Sequence, residues 1–388
     1  MKQVVFLNSH PIQYFAPLYQ QLSAAGVPLT VYYSSDESIT GKLDKGFGKE
    51  VKWNIPLLDG YHSVFLKNHS WKPSVHNGFW GIFNPGIIKL LYKQPPSIII
   101  VHGWAYSTNI MAIIFGKLVG HSVCLRTETP LNQERKKNKL LTFVKHICLR
   151  FLFLFIDHFL FIGKQNRLFY KTLGVKETRL IFTPYAVDNK RFRSIYENTS
   201  NQAAREILKL PAYKKIILYS GKYILKKRPT DLLKAFHESA EENALLVMVG
   251  DGELRGDMES YIKKHDLDNK VLLTGFINQS EIPLYYRAAD IFVMCSGLGE
   301  TWGLSVNEAM NFGLPVIVSD TCGSAYDLVV NDVNGAIFET GNISQLALLL
   351  HEYLHLPKER KNAAVNFSLK KIDEYSYVQI ITAIKNLQ

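Results

Sequence analysis

Two carboxylates, Glu300 and Glu308, stand eight residues apart in the segment Glu300-Thr-Trp-Gly-Leu-Ser-Val-Asn-Glu308. The segment follows an apolar run, IFVM, and a loop, CSGLG, and enters LSVNEAM, whose spacing predicts a helix. Gly303, Leu304 and Ser305 then offer the free amides of a helix N-terminus, where backbone N–H groups and the helix dipole favour an anion such as a diphosphate. A carboxylate at either end of that site can accept hydrogen bonds from sugar hydroxyls. Without context, the same pair also fits a capping acid and a solvated helical Glu. Lys222 and Lys227 follow another apolar run, IILYS. Two cations just beyond a strand end can neutralise a leaving diphosphate, and the plain alternative is a solvated basic loop, to which Lys226 and Arg228 are assigned. Gly250-Asp251-Gly252 follows LLVMV and Gly275-Phe276 follows VLLT; glycine lets backbone approach a ligand closely, although ordinary strand-to-helix turns would look the same.

The first half offers polar groups at three more expected strand ends: Ser9 and His10, His102-Gly103-Trp104 after SIIIV, and Arg126 with Glu128. A lone histidine is more often structural than functional, so His10 and His102 are candidates by position. Asp266-Leu-Asp268 has the spacing of a metal-binding pair, but it falls between a helix and a strand, away from the expected ligand edge.

These groups need a scaffold that brings strand ends together. Short apolar runs alternate with amphipathic stretches, which predicts parallel sheets wrapped by helices. Strands are expected at 3–8, 29–33, 97–101, 121–126, 157–162 and 180–183, then at 216–220, 245–249, 271–274, 291–294, 316–318 and 336–338. Helices are expected at 13–25, 84–92, 107–118, 139–155 and 165–172, then at 229–240, 255–265, 280–288, 304–312, 324–330 and 343–354. A chain of 388 residues exceeds one ordinary hydrophobic core. The expected division is a first domain over 1–186, a second over 187–365, with a polar crossover near 183–200, and a C-terminal helix over 366–388 packing back on the first domain. Ligands of open α/β sheets collect at the carboxyl ends of the strands, where the groups above cluster.

The pattern GLG-E-x-x-GL-x-x-x-EAM-x-x-G-x-PV, with Glu300 and Glu308 as its acids, resembles the group 1, or family four, retaining glycosyltransferases of GT-B architecture. The resemblance extends over most of 157–340. It implies two Rossmann-like domains with the site in a cleft between them. It also implies that Glu300 contacts the transferred sugar, that Glu308 binds the nucleotide ribose, and that Lys222 and Lys227 hold the diphosphate. Gly250, Asp251, Gly275 and Phe276 would border the base, and His102 would lie beside the sugar. The first domain departs from the family: Ser9-His10-Pro11-Ile12-Gln13-Tyr14 replaces its usual Gly-rich loop, and Tyr185-Ala186 replaces Asn-Gly at the crossover. His10, Arg126 and Glu128 are therefore assigned to the acceptor side by position alone.

The net charge of +11 is unevenly spread. Residues 1–190 carry 23 Lys+Arg against 10 Asp+Glu, a net of +13; residues 191–388 carry 22 against 24, a net of −2. Such asymmetry points to an anionic partner for the first half. Between Arg135 and Arg150, six basic residues interleave with Leu140, Leu141, Phe143, Ile147 and Leu149, which fits the surface of an anionic membrane; a core-packed helix with a basic collar is the alternative. No nucleic-acid motif is present, so nucleic acid is not expected as a partner. Cys124, Cys148, Cys295 and Cys322 have neither metal nor redox spacing, and no apolar run reads as a signal peptide or a spanning helix. The sequence therefore predicts a cytoplasmic enzyme, peripheral on the inner face of the membrane. It would move a sugar from a nucleotide-diphosphate sugar to a glycan or lipid-linked acceptor in polysaccharide biosynthesis, with no cofactor and no metal. A sugar-nucleotide epimerase on the same fold and a non-catalytic sugar-nucleotide-binding subunit are the alternatives.

Overall fold

The computed structural model describes residues 1–39, 43–44, 49–50 and 56–388. The short antiparallel pair 43–44 with 49–50 aside, residues 1–39, 56–185 and 377–388 form a first unit and 186–376 a second.

The first unit is built on a seven-stranded parallel sheet: β1 (Val4–Asn8), β2 (Leu29–Tyr33), β3 (His62–Phe65), β4 (Ile98–His102), β5 (Ser122–Arg126), β6 (His158–Phe161) and β7 (Leu180–Phe182), in the order β3-β2-β1-β4-β5-β6-β7. Its helices are α1 (Ala16–Ala24), α2 (Gly86–Lys93), α3 (Ser107–Leu118), α4 (Leu131–Glu134), α5 (Lys139–Leu152) and α6 (Lys164–Thr172). Helices on both faces leave the central strands without a wet side, which is why VVFLN and IIIV are continuous apolar runs rather than alternating ones. β3 was absent from the sequence reading because HSVF is an edge strand with no buried residue and so carries no apolar run.

The second unit repeats the plan with six strands: β8 (Lys215–Ser220), β9 (Ala244–Val249), β10 (Val271–Gly275), β11 (Ile291–Met294), β12 (Val316–Ser319) and β13 (Gly335–Phe338), in the order β10-β9-β8-β11-β12-β13. The helices are α7 (Asn189–Asn198), α8 (Asn201–Ile207), α9 (Pro229–Ser239), α10 (Arg255–Lys264), α11 (Ile282–Ala288), α12 (Leu304–Met310), α13 (Ala325–Leu328), α14 (Ile343–Leu354) and α15 (Lys358–Asp373). The last helix, α16 (Tyr377–Lys385), returns to the first unit against α1 and β7. The two parallel sheets are the α/β class that the alternation predicts.

The chain passes from the first unit to the second between Tyr185 and Ala186, within the expected crossover 183–200. That stretch also contains α7, whose N-terminus is capped by the Asp188 side chain accepting from the Arg191 N–H at 3.2 Å, and Phe192 buries into the second unit. One expectation is corrected: 366–388 is not one helix packing back on the first unit. The chain turns at 374–376, so that Ile372 and Tyr375 are buried with the second unit and Tyr377, whose hydroxyl donates to the Tyr14 carbonyl at 2.8 Å, belongs to the first. The apolar spacing that runs through 372–384 crosses a break in the helix, and spacing alone does not register it.

Candidate functional site

In each sheet the strand order reverses direction once, between β1 and β4 in the first unit and between β8 and β11 in the second. At such a point the loops leaving two neighbouring strands diverge and open a crevice at the carboxyl edge. The second unit's reversal is where the sequence placed its chemistry: Lys222 and Lys227 follow β8, and Glu300 follows β11.

Glu300 is 7% exposed and is paired with the Lys227 ammonium. Burial pushes its carboxyl up, but Lys227 and Lys226 outweigh that and hold it below the ordinary carboxylate value. The predicted sugar-binding acid and one predicted phosphate-binding cation thus meet in one partly buried pair. Lys226 is involved as well, because its carbonyl accepts the Gly297 N–H at 2.8 Å, tying the loop after β8 to the loop after β11. Arg228 pairs with Asp231 at 2.6 Å.

Glu308 is 2% exposed and accepts the Tyr286 hydroxyl at 2.7 Å. Tyr286 lies on α11 and stacks on Phe312 with ring centroids 5.8 Å apart. No local spacing pointed to Tyr286, because its partner is 22 positions away in another helix. Between the two acids, the Trp302 indole donates to Asn307 Oδ1 at 2.8 Å and stacks on Tyr375, whose hydroxyl donates to Asp327 at 2.9 Å. Trp302 and Asn307 stand inside the Glu300–Glu308 segment and were legible there as uncharged residues of an otherwise short loop-to-helix entry.

The glycines have a reason that the sequence reading did not supply. Gly303 takes φ +93°, and a Cβ there would lie 2.5 Å from Met294 Sδ and 2.7 Å from Cys322 Sγ. At Gly250, φ +149°, a Cβ would fall 1.9 Å from the Gly221 carbonyl oxygen. The loops after β8 and β9 therefore pack backbone to backbone, and the absence of a side chain at Gly250 serves that contact. Gly250 also donates its N–H to the Gly275 carbonyl at 3.0 Å. Asp251 Oδ1 accepts the Gly252 N–H at 3.0 Å, which is turn chemistry, and Phe276, directly after β10, is half-buried. Ser305 at the start of α12 donates its hydroxyl to the Ser220 carbonyl at 3.1 Å, so the amides of 303–305 stand over the end of β8. α12 itself is seven residues long, shorter than 304–312. Asp266, with φ +54°, lies in the turn before β10, at the amino edge of the sheet.

In the first unit, His102 and Arg126 are register partners at the ends of β4 and β5. Phe15 meets the His102 ring edge-on at 4.8 Å, and the Arg126 guanidinium sits 5.1 Å from Phe15 and 5.0 Å from Tyr185. Burial, reinforced by Arg126, holds the His102 imidazole well below its ordinary value, so the ring is neutral at pH 7. Its Nε2 is buried with no hydrogen-bond partner among the described residues. Glu128 joins the same cluster through Tyr185. His10 stands in different company: its Nδ1 is 2.9 Å from Ser9 Oγ, and its basicity is lowered by burial, raised by Glu37 and lowered by His76. The first unit thus places His102, Arg126 and Glu128 around Phe15 and Tyr185, with His10 beside Glu37. A cavity of about 570 Å³ lined by His69, Trp71, Trp80 and Phe83 was not read from the sequence. Its segment is held to the carboxyl edge by Glu37, which accepts the Val75 N–H at 3.2 Å, and by the Tyr106 hydroxyl donating to the Val75 carbonyl at 2.8 Å.

The basic segment 135–150 is not core-packed. In α5 only Leu149 is buried, and Leu140, Val144, Ile147 and Phe151 form an exposed stripe at three- and four-residue spacing, Leu140 at 71%. Lys137 and Lys145 both pair with the buried Glu134, whose carboxyl is pushed up by burial but held low by these two cations, so they are in part internally neutralised. No helix among the described residues is long and apolar enough to cross a membrane.

Two sheets with reversal-point sites are the fold of GT-B glycosyltransferases: the Anabaena HepE structure with UDP and glucose superposes on the chain with a TM-score of 0.72 at 15% identity, covering 100% of this chain and 99% of that one. Residues 200–367, within the second unit, match the family model of glycosyl transferases group 1. An alpha-monoglucosyldiacylglycerol synthase of Acholeplasma laidlawii is 28% identical over 171 residues, 43% of this chain and 42% of that protein. An uncharacterized glycosyltransferase of Methanocaldococcus jannaschii is 33% identical over 122 residues, 31% of each chain. The chain thus spans less than half the length of these relatives.

Proposed function

We propose that the chain transfers a sugar from a nucleoside diphosphate to an acceptor hydroxyl with retention of configuration. The observation that carries this is the Lys227–Glu300 pair at the reversal point of the second sheet, with Glu308 held by Tyr286 eight residues on. In this reading Glu300 accepts from the hydroxyls of the transferred sugar and Glu308 from the ribose. Lys222, Lys227 and the amides of Gly303, Leu304 and Ser305 hold the diphosphate. The bond from the anomeric carbon to the leaving phosphate oxygen breaks as the bond to the acceptor oxygen forms, and the acceptor proton passes to the phosphate on the same face. Charge growing on the leaving phosphate is met by cations already in place, so no metal is needed. Neutral His102 and Arg126 belong to the acceptor side. Incubation with UDP-, GDP- and ADP-sugars in excess EDTA is expected to give slow donor hydrolysis and thermal stabilisation with one of them. Stabilisation by none of the three, or activity restored only by added Mg²⁺ or Mn²⁺, would count against the donor site or against metal-free transfer respectively.

The acceptor is proposed to be lipid-linked and met at an anionic membrane surface. The exposed apolar stripe of α5, flanked by Arg135, Lys136, Lys139 and Arg150, supports this, because each basic side chain near such a surface adds about 1 kcal/mol. The A. laidlawii relative being a glucosyldiacylglycerol synthase points the same way. Binding to vesicles containing anionic lipid is expected at low salt, to weaken as salt rises, and to fall in a variant with Leu140, Val144 and Phe151 changed to Ser. A wild-type protein that ignores such vesicles at low salt has a soluble acceptor instead.

A further inference from the structure

Away from the donor edge, the second unit gathers Glu241, His351 and His355, whose candidate ligand atoms all lie within 4.8 Å of one another. His351 Nδ1 is 2.6 Å from Glu241 Oε1, and His355 Nε2 is 3.2 Å from Glu241 Oε2. The two histidines are four residues apart on one face of the last turn of α14, the spacing at which two imidazoles can share one ion. Glu241 opens the turn between α9 and β9, immediately after Ala240, whose left-handed φ of +53° ends α9. The carboxylate is only 10% exposed while the imidazoles are 67% and 57% exposed, so a largely buried carboxylate stands beneath two solvent-facing imidazoles.

We propose that Glu241, His351 and His355 form a binding site for one borderline divalent cation, with Zn²⁺ as its reference ion. Two imidazoles and a carboxylate are a ligand set for such ions, with water completing the shell. Zn–N and Zn–O bonds of about 2.0–2.2 Å put neighbouring ligands a little over 3 Å apart, so the 2.6 Å pair opens and the wider separations, all within 4.8 Å, close as an ion enters. The location decides the role. Glu241 precedes β9 and His351 ends a helix running back from β13, so the site is at the amino edge of the sheet, opposite Lys227 and Glu300. A cation there joins the end of α14 to the α9–β9 turn and stabilises the second unit without touching the transferred sugar. No local spacing reports this cluster, because Glu241 is 110 positions from His351.

The test is calorimetric titration of the full chain, stripped with EDTA, with Zn²⁺, paired with thermal melts. One equivalent is expected to bind with a dissociation constant in the micromolar range and to raise the melting temperature. His351→Ala, His355→Ala and Glu241→Gln should each weaken binding at least tenfold and abolish the rise; the histidines are exposed, so their variants keep the fold. His237→Ala, which alters another histidine of the same unit, should leave both unchanged. No binding tighter than millimolar overturns the proposal. So does binding that persists in the His351→Ala, His355→Ala double variant or that is lost in His237→Ala.

Discussion

If the proposed function holds, Lys227→Ala is expected to lower the rate of sugar transfer by about 10²–10³-fold, because in that reading it removes a preorganised cation from the place where charge develops on the leaving phosphate. The same change leaves Glu300 buried without its partner. A charged acceptor stripped of its hydrogen bond costs about 1–3 kcal/mol, so a fall in melting temperature should accompany the loss of activity. The two effects separate in a double variant. Lys227→Ala with Glu300→Gln should regain most of the stability, since no unpaired charge remains, and stay inactive. The pH dependence follows from the same pair. In the wild-type protein Glu300 has its carboxyl held below the ordinary value, so its stabilising contribution is complete above the normal carboxylate range and is lost only as pH falls through the lower folded value. Without Lys227 the effect of burial is less opposed and the carboxyl rises, so the stability that Glu300 loses on acidification should shrink, and the variant should fall behind the wild type most at neutral pH. Wild-type turnover in Lys227→Ala would remove this lysine from the diphosphate site.

Gly250→Ala is expected to be the most destructive single methyl group in the second unit. Its Cβ would occupy a point 1.9 Å from the Gly221 carbonyl oxygen and 3.1 Å from the Tyr223 ring, at a φ of +149° that side chains rarely adopt. Neither obstacle is the free end of a flexible chain. The loop after β9 must move away from the loop after β8, and the bond from the Gly250 N–H to the Gly275 carbonyl goes with it. Backbone strain of this kind costs about 1–3 kcal/mol before the displacement is counted. For a unit of this size each kcal/mol is worth about 2–4 °C in melting temperature. A fall of at least 5 °C, with loss of nucleoside diphosphate binding, is expected by scanning calorimetry and titration. A variant that melts with the wild type would mean that the two loops are not in backbone contact.

The sheets were legible because strands buried on both faces must be apolar throughout, and IFVM and LLVMV announce themselves. Glu300, Lys222 and Lys227 could be placed at one sheet edge because each lies in a loop that follows such a run, and Glu308 because its helix continues the loop after IFVM. Tyr286, Glu241 and the partners of His10 were not, because their contacts join positions far apart in the chain, and no local spacing reports them. Of the two readings of Gly250, a close ligand or an ordinary turn, neither named Gly221, whose carbonyl lies where a Cβ would fall, because that contact joins two loops far apart in the sequence. α5 was ambiguous because a basic, half-apolar helix has the same spacing whether it faces a core or the outside.

The backbone contact between Gly221 and Gly250, and the similar one that leaves a Cβ at Gly323 only 1.9 Å from the Thr301 carbonyl, restrict how this molecule can change over evolutionary time. Loops locked to one another at their backbones cannot be lengthened or exchanged singly. On the proposed function, new donor preferences arise by replacing side chains at their rims, such as Asp251 or Phe276. In the first unit the close approach within His69–Phe83 is internal to the segment, a Cβ at Gly81 falling 2.3 Å from the Ser74 carbonyl oxygen, while Glu37 and Tyr106 hold it from outside through Val75. That segment could therefore be exchanged as a whole, and on the proposed acceptor assignment such recombination would retarget the acceptor, whereas the second unit would change by point substitution.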